Sequence, residues 1–193
     1  AGIFPDCGAT ADVAWETLGT DFDNFRNYSG VEQNDVTETE FSNHLDKGHI
    51  LTADSVEELA SQLGGEPVLT KIGLIIKERS GVTKIRMILD TKLSNVKNAT
   101  AKSQRVILPR SLDTVLRMVT TLAGGLSQGE GVTNLVLDFS DAFWQIPSSP
   151  DEQRFFCATA VMQGKRKYIA FLRAAQGSRL APLLWARLAA IVM

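Results

Sequence analysis

The 193-residue chain is poor in groups that would staple it or bind metal: two cysteines, two histidines and nowhere an Asp-Asp pair. Cys7 and Cys157 have no metal or redox spacing and read as free intracellular thiols, which excludes a disulfide framework. His44 and His49 stand in a polar stretch without further ligands, so they read as surface residues and not as a zinc site. No run reaches the ~18 consecutive apolar residues that mark a membrane helix. No signal peptide opens the chain either. The expectation is an intracellular protein with no membrane partner, cytoplasm and nucleus being indistinguishable. Residues 154–193 contain no acidic residue at all.

What is present is ordinary in bulk and uneven in distribution. An apolar share of 44% and a charged share of 22% suit a globular chain long enough for one domain or two small ones. Residues 1–70 hold 14 Asp/Glu against two Lys/Arg, a balance of −12, while residues 71–193 hold 8 against 18, a balance of +10. An acidic leader joined to a body that attracts polyanions is the reading of that asymmetry. The chain begins with Ala and stops in an apolar, helix-like run, so it reads as an excerpt of something longer.

Residues 1–40 lack aliphatic periodicity and are expected to be a loosely ordered leader or connector. Residues 41–132 and 133–193 follow as two regions. Ser55 to Leu63 reads as a short helix with a capping-box start at Asp54-Ser55-Val56-Glu57 and a stop at Gly64-Gly65. Leu69 to Lys77 and Thr83 to Asp90 read as a hairpin over 69–90. Leu112, Val115, Leu116, Val119 and Leu122 share one face of a helix over 111–123, with Ser111 as its cap and Gly124-Gly125 ending it. A second hairpin is expected over Arg154 to Val161 and Lys167 to Leu172, then a helix from Ala181 to Met193. Strands interleaved with helices, including antiparallel pairs, indicate the α+β class.

The most informative segment is Val136-Leu137-Asp138-Phe139-Ser140-Asp141-Ala142-Phe143-Trp144-Gln145-Ile146-Pro147. Asp138 lies at the end of an apolar run from Leu135 to Phe139 that reads as a strand. A carboxylate there costs several kcal/mol unless a partner such as a divalent metal neutralises it. The competing reading is that Asp138 and Asp141 punctuate a turn and cap the short helix after it. The order of side chains resembles the first catalytic motif of reverse transcriptases of retrotransposons and retroviruses. There an aspartate ends a palm strand, an aromatic stands five residues on, and Ile-Pro follows.

The resemblance implies that Asp138 is a ligand of two metal ions, Mg²⁺ or Mn²⁺, and that the backbone carbonyl of Phe139 faces one of them. Such ions stabilise the attacking and leaving oxygens of phosphoryl transfer. The backbone amides of Asp141 and Ala142 would approach the incoming triphosphate, although Asp141 reads equally as a helix cap. Phe143 would pack beneath the sugar and exclude a 2′-hydroxyl, favouring deoxynucleotides.

Two further segments carry the same resemblance. In Lys84-Ile85-Arg86-Met87-Ile88-Leu89-Asp90-Thr91-Lys92-Leu93-Ser94-Asn95, the residues Arg86, Asp90 and Asn95 match the fingers motif of the family. Thr91, Lys92 and Ser94 replace an aromatic, an Arg and a Leu. Arg86 would pair bidentately with the triphosphate, and Arg79 would reach its terminal phosphate, with Lys77 as the rival. In Leu172-Arg173-Ala174-Ala175-Gln176-Gly177-Ser178-Arg179-Leu180-Ala181-Pro182, Gln176, Gly177 and Pro182 align with a third motif. Gln176 would contact the nucleotide sugar and template-side base, and Gly177 would permit close backbone approach.

The resemblance covers residues 70–193. It implies the fingers and a partial, ferredoxin-like palm of a right-hand polymerase, cut before the second catalytic hairpin and the thumb. Partners would be an RNA or DNA template with its primer and deoxynucleoside triphosphates, with RNase H and integrase domains possible in the parent. The family's remaining metal-binding aspartates sit in a downstream Asp-Asp hairpin, so the chain by itself is expected to be inactive. The alternative is a degenerate or repurposed module of the same family that binds nucleic acid without catalysis. An RNA-dependent RNA polymerase is disfavoured by Phe143.

Overall fold

The computed structural model of the chain describes residues 18, 26–31, 35–100, 106, 110–133 and 135–192. Cys7 and most of the expected leader lie outside the described residues. The chain divides into two units, one of residues 1–104 with 141–193 and one of residues 105–140. Within the first unit the class is α+β. Its elements in order are α1 (Asp35–Asp46), β1 (Ile50–Ala53), α2 (Val56–Leu63), β2 (Lys71–Arg79), β3 (Val82–Asp90) and α3 (Val96–Ala99). The second unit contributes α4 (Ser111–Ala123). The chain then returns with a 3₁₀ turn (Ala142–Gln145), α5 (Pro150–Gln153), β4 (Cys157–Met162), β5 (Lys165–Phe171) and α6 (Ala181–Val192).

An antiparallel sheet of strand order β1-β5-β4 carries the core on both faces. The alternation of a strand puts Ile50, Ala158, Ala160, Ile169 and Phe171 on one face, where Phe41 of α1 and Trp144 join them. Ala53, Cys157 and Ala170 turn to the other face and meet Leu59 of α2. Helix α2 stops as its sequence predicts and starts one residue later, with Ser55 as the cap and Glu58, not Glu57, as its partner. The Ser55 hydroxyl accepts from Glu58 N–H at 3.1 Å, Glu58 reaches back to Asp54 N–H at 2.7 Å, and Gly64 closes the helix at φ 68°.

Both predicted hairpins form with tighter turns than the sequence suggests, and the ladders run further toward those turns. Ser80 and Gly81 adopt φ of 53° and 74°, and Gln163 and Gly164 adopt 52° and 70°. Two residues of positive φ make a turn whose twist matches the flanking strands, so Glu78, Arg79 and Val82 stay in register. At the other end of the second hairpin, Pro150–Gln153 is helical and the strand starts only at Cys157.

Four expectations change. The acidic stretch 26–46 belongs to the packed body wherever it is described. Val31 is buried, and Asn27 bridges the hairpin to the sheet, donating to Thr159 O at 2.6 Å and accepting from Ile72 N at 3.0 Å. Thr37, Phe41 and His44, three to four apart, form the buried stripe of α1, a pattern that the surrounding acids obscure. The histidines are likewise no surface residues: His44 and His49 are both buried, with their Nδ1 atoms 3.0 Å apart.

In the second unit, residues 135–139 form no strand and are exposed, Val136 by 87%. A β-run needs a neighbouring ladder to satisfy its backbone, and no strand among the described residues pairs with this one. The helix α4 has the predicted bounds, but its cap is Arg110, whose N–H donates to Asp113 at 2.7 Å, and Ser111 is its first residue. Its apolar face is more than half exposed at Leu112, Val115, Leu116, Val119 and Leu122.

Candidate functional site

The hairpin β2–β3 sorts its charges by the period of a strand. Directly opposed residues share a face, and the register pairs Lys71 with Asp90, Ile75 with Arg86, Lys77 with Lys84 and Arg79 with Val82. Lys71, Lys77, Arg79, Lys84 and Arg86 therefore stand on one face, where Asp90 is the lone carboxylate. The other face carries Ile72, Leu74, Ile76, Ile85, Met87 and Leu89, with Glu78 near its tip. Among the described residues no carboxylate pairs with Lys77, Arg79, Lys84 or Arg86. Opposed lysines repel, and an external polyanion would relieve that repulsion. Arg79 and Lys77, left as rivals by the sequence, lie on the same face as Arg86.

At the base of this face a cleft of about 390 Å³ is lined by Tyr28, Gly73, Ile75, Asp90, Lys92 and Lys97, and is reached by Gly177. The Tyr28 hydroxyl donates to Asp90 Oδ2 at 2.5 Å, and Lys92 N–H donates to Oδ1 at 3.0 Å. The tyrosine bond is the main reason that the Asp90 carboxyl is held below its usual range and the Tyr28 phenol above its own. Lys71 stands 5.6 Å from the centre of the Tyr28 ring. An aromatic, apolar walls and several cations suit a planar, anionic ligand such as a nucleotide. Tyr28 had no sequence signal beyond being an aromatic in an acidic stretch.

Within the first unit, residues 84–95, 172–182 and the part of the Asp138 segment from Asp141 onward come together. Leu89 N–H donates to Gln176 O at 2.8 Å. A Cβ on Gly177, whose φ is 102°, would overlap the Leu89 carbonyl oxygen and lie 3.0 Å from its carbon. The close backbone contact that Gly177 permits is with Leu89. On the other side Ala174 N–H donates to Ile146 O at 2.9 Å and Ser148 N–H to Leu172 O at 3.0 Å. Gln176 is half-buried and Gly177 exposed.

The polar residues of the segment 91–95 are satisfied locally. Ser94 is buried, and its hydroxyl lies 2.9 Å from that of the equally buried Thr70. Thr91 is buried and its carbonyl receives the Ser94 hydroxyl at 3.4 Å. Asn95 takes φ 61°, a conformation Asn tolerates better than most residues, and opens α3. Asp141 likewise adopts φ 52° ahead of the 3₁₀ turn. Its carboxylate makes no capping bond and lies 3.6 Å from Lys47 Nζ. Asp141 thus stands at the cap position of the turn, and its backbone carbonyl, not its carboxylate, accepts there, from Trp144 N–H at 2.8 Å. Ala142 and Phe143 are half-buried.

Asp138 and Phe139 belong to the second unit, whereas Arg79, Arg86, Asp141, Ala142, Phe143, Gln176 and Gly177 belong to the first. Asp138 is exposed, and among the described residues no group of three or more His, Cys, Asp or Glu stands together to hold an ion. Two metal ions need more carboxylate oxygens than one side chain has. The described residues do not complete such a site. Among them, no helix is long and apolar enough to cross a membrane. No family model matches the chain, and no curated protein matches it.

Proposed function

We propose that the chain is the fingers and first part of the palm of an RNA-directed DNA polymerase, whose own surface binds primer–template and deoxynucleoside triphosphate. The observation that carries this reading is the convergence of the three motif segments on residues 172–177, through Leu89–Gln176 and Ile146–Ala174. Leu89 and Gln176 are 87 residues apart and Ile146 and Ala174 are 28 apart, and the resemblance accounts for their meeting. The one-sided cations of the hairpin add an electrostatic footprint for phosphates.

In this reading Arg86 and Arg79 hold the triphosphate, the Asp141–Ala142 amides approach it, and Phe143 tests for a 2′-hydroxyl. Gln176 orients the sugar and the template-side base. Asp138 would be one ligand of Mg²⁺ or Mn²⁺, ions that neutralise the charge of the transferring phosphoryl group, and further carboxylates must complete that set. The exposure of the run around Asp138, and the absence among the described residues of a group of ligands beside it, favours a second reading, a related module that binds nucleic acid without catalysis.

The test is binding of a fluorescent primer–template across a range of salt concentrations. Affinity should fall linearly in log–log form, and Lys84→Glu and Arg86→Glu should each reduce the slope by about 1. Absent or salt-independent binding would overturn both readings. A preference for deoxynucleotide over ribonucleotide triphosphate that is lost in Phe143→Val separates the polymerase from the binding module.

A further inference from the structure

Helix α1 and the turn that carries Asp141 are held together by ring packing. Trp144 lies 4.1 Å from His44 of α1 and 5.4 Å from His49, ring centre to ring centre. Its backbone N–H donates to Asp141 O at 2.8 Å. The helix closes just beyond His44: Lys47 N–H donates to Asn43 O at 3.2 Å, Gly48 N–H donates to Leu45 O at 2.9 Å, and Gly48 takes φ 64°. That closure brings Lys47 to the turn, with Nζ 3.6 Å from Asp141 Oδ2.

The Asp141 carboxylate makes no capping bond, and Lys47 is its ion-pair partner among the described residues. Both side chains are about half exposed, at 54% and 53%, so the pair itself adds little to stability. Its effect on an approaching anion is larger, because a bare carboxylate beside the turn repels phosphate. The other charged groups that act on this corner are Glu40 and Arg173. With Glu40 ionised, the two carboxylates and the two cations cancel. Removing Lys47 leaves the corner net negative.

We propose that Lys47 is a positioning residue of the nucleotide site, holding the Asp141 carboxylate in an ion pair so that the turn accepts the triphosphate of a deoxynucleotide. This rests on the reading of that turn as triphosphate-facing. One uncompensated charge roughly 7 Å from a ligand of about four negative charges, screened over about 10 Å, weakens binding about 7-fold. Mg²⁺ halves the charge of the ligand, and the same arithmetic then gives about 3-fold.

The test is calorimetric binding of deoxythymidine triphosphate to the full chain, with and without Mg²⁺. Lys47→Gln should weaken binding by about 7-fold without Mg²⁺ and about 3-fold with it, and by less at high salt. Lys47→Arg should bind as the parent does, and Lys47→Gln/Asp141→Asn should recover most of the loss. All should unfold within about 2 °C of the parent, which separates this role from a structural one. A Lys47→Gln protein that binds like the parent, or a loss that Asp141→Asn does not restore, overturns the proposal. The Glu40 carboxyl, raised by burial, reads the pair without nucleotide: in an NMR titration its midpoint should rise further in Lys47→Gln and fall in Asp141→Asn. A Glu40 midpoint unmoved in both overturns the ion pair. No triphosphate binding even by the parent, with Glu40 responding, refutes the nucleotide reading of the turn and with it the role of Lys47, while the pair stands.

Discussion

Gly177→Ala is the sharpest probe of how the motif segments are joined. The backbone of Gly177 has φ 102°, a region that costs a side chain of order 1–3 kcal/mol wherever it stands. The new methyl would also overlap the Leu89 carbonyl oxygen, so either that contact opens or the hydrogen bond from Leu89 N–H to Gln176 O is strained. Losing a buried backbone bond of this kind costs about 1–3 kcal/mol more. A total of about 3 kcal/mol corresponds to a fall in Tm of roughly 6–12 °C for a chain of this length. Thermal and urea unfolding by circular dichroism would measure it. Gly131→Ala, where a Cβ meets nothing within 4 Å, is the control and should stay within about 0.5 kcal/mol of the parent. A Gly177→Ala protein as stable as that control would mean that the segment 172–182 does not rest on β3.

Two further outcomes follow from the same region. Ser94→Ala strands the Thr70 hydroxyl in a fully buried site and should cost about 1–3 kcal/mol in urea unfolding, most of it recovered in Ser94→Ala/Thr70→Val. Tyr28→Phe removes the main cause of the lowered Asp90 value, so the Asp90 midpoint should rise toward 3.8 in a carboxyl NMR titration. A lowered carboxylate contributes stability above its unfolded value. The pH-dependent gap between parent and Tyr28→Phe should therefore be full above pH 3.8 and close as pH falls below it. An unmoved Asp90 midpoint would remove Tyr28 from the cleft's electrostatics.

Local signals carried much of the fold. The cap at Ser55, the stop at Gly64 and the bounds of α4 depend on neighbours a few residues away, and they are legible for that reason. The two-residue turns were underestimated because Ser80 and Gln163 are not the usual residues for positive φ, although the Gly after each was visible. The sorting of five cations to one face of β2–β3 was also latent in the sequence, since a strand alternates by two. It needed only the register to be exposed.

What the sequence by itself determined, then, is most of what has its cause within a turn or a strand period: helix extents, the two hairpins and the α+β class. The tertiary structure alone decided burial and partnership. Asn27 is structural because Thr159 lies 132 residues away, and His44 is neutral and buried because Trp144 covers it. The run 135–139 looked like a strand from its side chains, yet among the described residues no strand offers its backbone a ladder. Apolar pattern marks a segment as able to be buried, and only a partner at the right distance in space makes it so.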